Sequence, residues 1–278
     1  MRESSNPVFR SLPRGQGGYA QFGTGAAGAA TQAVHADPYA AQQYPTQQTG
    51  VSRPLTIDDV VTKTGITLAV VTAVAVVSYL MVGANPGLMM PFAIVGGLGG
   101  FALVMIATFG RKQDNPAIVL TYGALEGLFL GAVSFLFANV VSFGGPGMIV
   151  QAIFGTIGVF VGMLVVYKTG AIRVTPKFTR MLVAAMFGVL ALALVNILLA
   201  IFTGNNPLTD GGPLAIVFSL VCIALAAFMF LIDFDSADQM IRAGVPSKAA
   251  WGIALGLTVT LVWLYVEILR LLSYFNSD

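Results

Sequence analysis

The chain has 278 residues, of which 56% are hydrophobic and only 9% charged. Soluble domains run near a quarter charged, so a water-facing globule of this size is excluded, and lipid is the alternative solvent. A mean hydropathy of +0.84 agrees, and a net charge of +2 argues against nucleic acid as a partner.

The first 60 residues depart from the rest. They are rich in Gly, Ala, Gln, Ser, Pro and Tyr with almost no apolar clustering. Such a stretch buries too little surface to offset its ordering entropy, so residues 1–60 read as a disordered polar tail and 61–278 as the membrane domain. The start, MRESSNPVF, lacks the apolar core of a signal peptide. His35, the single histidine, falls in this tail and reads as solvated.

Seven apolar runs follow, at Ile66–Val82, Leu88–Phe109, Ala117–Val140, Met148–Tyr167, Met181–Phe202, Leu214–Ile232 and Ala249–Tyr274. Each approaches the roughly 20 residues that a helix needs to cross the hydrocarbon. Turn-rich breaks such as Asn85-Pro86 and Gly144-Gly145-Pro146 separate them. An all-α membrane protein of seven transmembrane helices is the expected fold.

Basic residues alternate between loops. Arg2, Arg10, Arg14, Arg53 and Lys63 precede or open the first span. Arg111 and Lys112 follow the second, Lys168, Arg173, Lys177 and Arg180 the fourth, and Arg242 and Lys248 the sixth. The other three loops have no Lys or Arg. Positive charge resists translocation, which predicts a cytoplasmic N-terminus and an external C-terminus. Small residues recur at four-residue steps: Gly123, Gly127 and Gly131; Gly158 and Gly162; Gly252 and Gly256. They predict close helix packing within the bundle, with a dimer face as the other reading.

Acids in such spans cost about 2.5–3.5 kcal/mol each on insertion scales and need a reason. Glu126 sits mid-way along the third span, with either a neighbouring helix to bond or a proton or cation to bind. Glu267 has Arg270 three residues on, within reach of a local ion pair, and shares its face with Gly256, Thr260 and Trp263. Asp233 and Asp235 close the sixth apolar run, about 200° apart around a helix. Asp235 falls on a stripe with Asp238, Gln239 and Arg242, and Asp233 on one with Met229, Phe230, Ala237 and Met240. Asp233 is the better candidate for a shielded carboxyl able to exchange protons. Cys222 is the single cysteine and reads as a small core residue. No Ser–His pair or other catalytic set stands out, so an enzyme is not expected.

Four segments in order resemble the Bax inhibitor-1 family, in its bacterial branch with an N-terminal extension. They are ATFGRK at 107–112, YGALEGLFLG at 122–131, LIDFD at 231–235 and LYVEILRLL at 264–272. The resemblance spans about residues 55 to 275. It implies a bundle with the last helix central, enclosed by the other six. The activity implied is a pH-sensitive cation (calcium) leak across the cytoplasmic membrane. Two acids from the last two spans would share a proton-dependent hydrogen bond, with a basic residue from the second span contributing. Carried over, these are Asp233 (Asp235 as second choice), Glu267 and Arg111, with Asp233 and Glu267 as the calcium-binding pair. Glu267 stands where the family usually has Asp. A turn at Gly244-Val245-Pro246 would put Glu267 about 32 Å and Asp233 about 18 Å from it, so Glu126 is an alternative partner for Glu267. The rival functions are a non-conducting regulator of a membrane protease or of a stress response, and a proton-coupled transporter. No cofactor is implied beyond calcium as the permeant ion.

Overall fold

The computed structural model describes residues 53–142 and 144–276. The tail's His35, Arg2, Arg10 and Arg14 lie outside the described residues. Seven helices are long and apolar enough to cross a membrane. They are α1 (Ile57–Ala84), α2 (Met89–Phe109), α3 (Pro116–Phe135, extended by a π turn over Leu136–Val141), α4 (Gly145–Thr169), α5 (Pro176–Thr203), α6 (Pro213–Arg242) and α7 (Ala250–Phe275).

The helices outrun the apolar stretches that announce them. α1 starts nine residues before Ile66 because Thr56 and Asp59 form a capping box: the Asp59 amide donates to Thr56 Oγ1, and the Thr56 amide to Asp59 Oδ2 at 3.1 Å. α6 continues ten residues past Ile232. Its last turns are polar and held by pairs along the helix, Gln239 to Asp235 at 2.6 Å and Arg242 to Asp238 at 2.7 Å. Asp233 and Asp235 therefore sit within a continuous helix and do not end one.

The last helix is the centre of the bundle. In their most apolar stretches 56% of α7 is buried, against 11% of α4 and of α5. α7 packs on α1, α3, α4 and α6, while α2 packs chiefly on α3, and α5 on α6. Phe160 and Tyr167 of α4 close edge-on or tilted against Phe230 and Phe234 of α6, locking α4 to the α6–α7 pair.

The three glycine stripes have three different fates. The α3 stripe is a helix-packing seam: a Cβ on Gly131 would lie 2.4 Å from the Ala75 carbonyl oxygen of α1, and one on Gly127 2.7 Å from that of Val71. Backbones approach this closely only without side chains. Gly158 and Gly162 of α4 face nothing in the described chain. Gly252 and Gly256 of α7 face polar side chains.

One end of the bundle is clasped. The Leu55 amide donates to the Val245 carbonyl and the Ser247 amide to the Arg53 carbonyl, so the strand entering α1 pairs with the α6–α7 turn. Lys63 of α1 donates to the Ser247 carbonyl and stacks over the Trp251 ring. Leu55, 3% exposed, plugs the apolar core beneath.

Candidate functional site

α6 and α7 form an antiparallel hairpin, so residues meet where their distances from the turn match. Asp233 lies nine residues before the end of α6, and Thr260 ten residues into α7. Each is about 14–15 Å from its helix end at 1.5 Å per residue. Thr260 Oγ1 donates to Asp233 Oδ2 at 2.7 Å. The other carboxylate oxygen, Oδ1, lies against Gly256, one turn nearer the hairpin's turn.

One turn further on, the α2–α3 loop supplies a second acid. Asp114 Oδ1 would be 3.3 Å from a Cβ on Gly252. Asp114, Gln113, Asp233, Ser236, Gly252 and Gly256 border one cavity of about 140 Å³. The missing side chains at 252 and 256 leave room for that space. Asp114 is exposed and Asp233 half-buried, so the cavity runs from the loop surface to the interhelical carboxylate.

Glu267 lies elsewhere on the same seam. It is seven residues beyond Thr260, about 10 Å along the axis. It is 6% exposed and its Oε2 accepts from Arg270 Nη2. Arg270 in turn donates through Nε to Ser219 Oγ of α6 at 3.2 Å and lies over the Phe218 ring. The Trp263 indole lies beside the Glu267 carboxylate, between it and Thr260 along the chain. The local ion pair expected from the spacing thus forms, and the structure does not bring Asp233 and Glu267 together.

The remaining expected residues are dispersed. Asp235 accepts from Gln239 of its own helix. Glu126 is on the α2–α3 seam, its Oε1 against Gly100 of α2 and its carboxylate beside Tyr122; Glu267 is not its partner. Arg111 is an exposed turn residue with φ +52°, the one non-glycine positive φ among the described residues, and its side chain makes no hydrogen bond or ion pair with them. No three His, Cys, Asp or Glu side chains among the described residues cluster as a metal cage would require.

A single stripe of α7 therefore carries Gly252, Gly256, Thr260, Trp263, Glu267 and Arg270, at three- and four-residue steps. From Gly252 to Arg270 it covers about 27 Å, close to the roughly 30 Å of a hydrocarbon core. The stripe from Gly256 to Glu267 is visible in the sequence as one face. Asp114 is not, since an acid in a loop carries no periodic signal.

The sequence model of a family described as Bax inhibitor 1 like matches residues 6–277. The chain belongs to this family. Its four family-like segments map onto the end of α2, the α3 seam, the middle of α6 and the Glu267–Arg270 pair. No curated protein matches the chain. The α7 residue bonded to Asp233 is Thr260, and Glu267 lies two turns away with its own arginine, Arg270.

Proposed function

We propose that this member of the Bax inhibitor-1 family is a proton-sensitive cation leak of the cytoplasmic membrane, passing calcium along the α6–α7 seam. One observation carries the reading: one face of the central helix carries glycines where it borders the cavity of Asp114 and Asp233, and then polar side chains from Thr260 to Arg270 over about 15 Å. Oxygen ligands suit a hard cation such as calcium. An ionised Asp233 would draw the cation into the seam, and a protonated one would not. Trp263 and the Glu267–Arg270 pair fill the seam beyond Thr260, so passage requires them to part. The basic residues of the described loops, Arg111, Lys112, Lys168, Arg173, Lys177, Arg180, Arg242 and Lys248, all fall at the end of the bundle that holds the cavity. The positive-inside rule makes that end cytoplasmic.

The test is calcium flux from liposomes holding the purified chain, at a mildly acidic and a mildly alkaline pH. Flux should be greater at the alkaline pH, and Asp233→Asn should be slow at both. An Asp233→Asn protein that leaks like the wild type at both values would overturn the reading.

A further inference from the structure

A second, larger cavity lies on the opposite flank of α7. α1 packs on α3 and α7, α4 on α6 and α7, and between them the cavity holds about 380 Å³. Its walls are almost wholly apolar, built from α1 between Leu68 and Leu80, α4 between Ile149 and Ile157, and Val262 and Tyr265 of α7. The rim is lateral. Val76 and Leu80 on α1 and Ile153 and Ile157 on α4 are 42–64% exposed, and they continue the lipid-facing surfaces of two membrane-spanning helices. The phase that meets this mouth is the bilayer interior.

Length and polarity identify the occupant. Leu68 to Leu80 spans about 18 Å of helix, and one leaflet of hydrocarbon is about 15 Å deep. Both the α1 wall and the α4 wall lie toward the same end of the bundle, where α1 finishes and α4 begins. At that end the cavity meets Tyr79, whose hydroxyl oxygen accepts from Asn139 Nδ2 at 3.0 Å, leaving its hydrogen to donate outward. A tyrosine at this level is placed for the interface. On the inner wall the Ser134 and Tyr265 hydroxyls bond each other at 2.8 Å, so neither is left unmet facing the cavity.

We propose that the cavity seats one acyl chain of a bilayer phospholipid from the leaflet at the Ala84 end of α1, with its ester region beside Tyr79 and its tip against Val262. The central helix would then have lipid on one flank and the polar seam on the other.

The experiment uses the full chain in nanodiscs containing phosphatidylcholine with a diazirine near the end of one acyl chain. After irradiation, labelled residues are mapped by mass spectrometry. Label on Val262 or Tyr265 of α7 is expected, because both are buried and only a chain inside the cavity reaches them. Thr72→Phe and, from the other wall, Ile153→Phe should each remove the α7 label while leaving label on outward residues of α5. Wild-type labelling confined to outward-facing residues, with Val262 and Tyr265 unlabelled, would overturn the proposal whatever the variants do. Labelling of α7 by a diazirine fatty acid but not by the phospholipid would overturn it too, since the occupant would then be a free acid.

Discussion

Asp233 of α6 and Thr260 of α7 stand at matched depths in one antiparallel hairpin and share a 2.7 Å hydrogen bond. The turn between them, tightened by a 3₁₀ segment over Ser247–Ala249, sets that register. Moving either residue by one position would rotate it about 100° off the seam. Removing the donor should therefore be costly. Thr260→Val leaves a half-buried carboxylate short of its partner and should lower stability by about 1–3 kcal/mol. Thr260→Ser keeps the hydroxyl and should lower it much less. Thermal unfolding in detergent, read by tryptophan fluorescence, compares the two.

The Glu267–Arg270 pair makes an opposite kind of prediction. Arg270→Ala strands a carboxylate that is 6% exposed, and breaking one side of a buried pair costs about 3–5 kcal/mol. Adding Glu267→Gln to that variant should recover much of the loss, since the neutral amide needs no counter-ion. A double variant as unstable as Arg270→Ala would show that the arginine acts through Ser219 and Phe218 instead.

Filling the cavity beside Asp233 should stop flux without unfolding the chain. Gly256 of α7 has room toward the cavity, with the nearest atom to an added Cβ 4.0 Å away, whereas at Gly252 Asp114 Oδ1 already stands at 3.3 Å. Gly256→Leu should fold, migrate as the wild type in size exclusion, and lose calcium flux at the alkaline pH. Gly256→Ala should be close to silent.

The glycines of α3 and α4 should separate sharply by stability. Gly131→Ala drives a methyl into the Ala75 backbone carbonyl, so α1 and α3 must part, and the expected loss is in the range of overpacked cores, about 1–3 kcal/mol or more. Gly158→Ala meets nothing within 4 Å and should be neutral or slightly stabilising, since alanine is the better helix former by up to about 1 kcal/mol. Melting temperatures of the two single variants decide it.

Most of the architecture is readable from the chain because lipid imposes one stringent rule: each crossing must be long, apolar and helical. That rule locates seven helices but not their ends. The start of α1 depends on the Thr56–Asp59 cap, and the end of α6 on polar pairs such as Asp238–Arg242, neither of which adds hydropathy. The Glu267–Arg270 pair is legible because its partners are three residues apart. The Asp233–Thr260 contact is not, because it depends on how many residues the α6–α7 turn consumes. Both residues can be assigned to faces from periodicity, and only the register tells which one meets which. Asp114 enters the site through the path of a loop, which no periodicity describes.

The clasp between the entry to α1 and the α6–α7 turn joins residues as far apart in sequence as Lys63 and Ser247, 184 positions. A ribosome delivers the chain from its N-terminus, so α1 waits until the α6–α7 turn is made for the carbonyl that Lys63 will grip. The helix at the heart of the bundle is likewise the last of the seven to be made. The earlier helices must hold a vacant slot for it, with the Ser134 hydroxyl lacking its Tyr265 partner until α7 enters. Assembly thus ends at the centre, and a chain cut short before Ala250 would have walls but no axle.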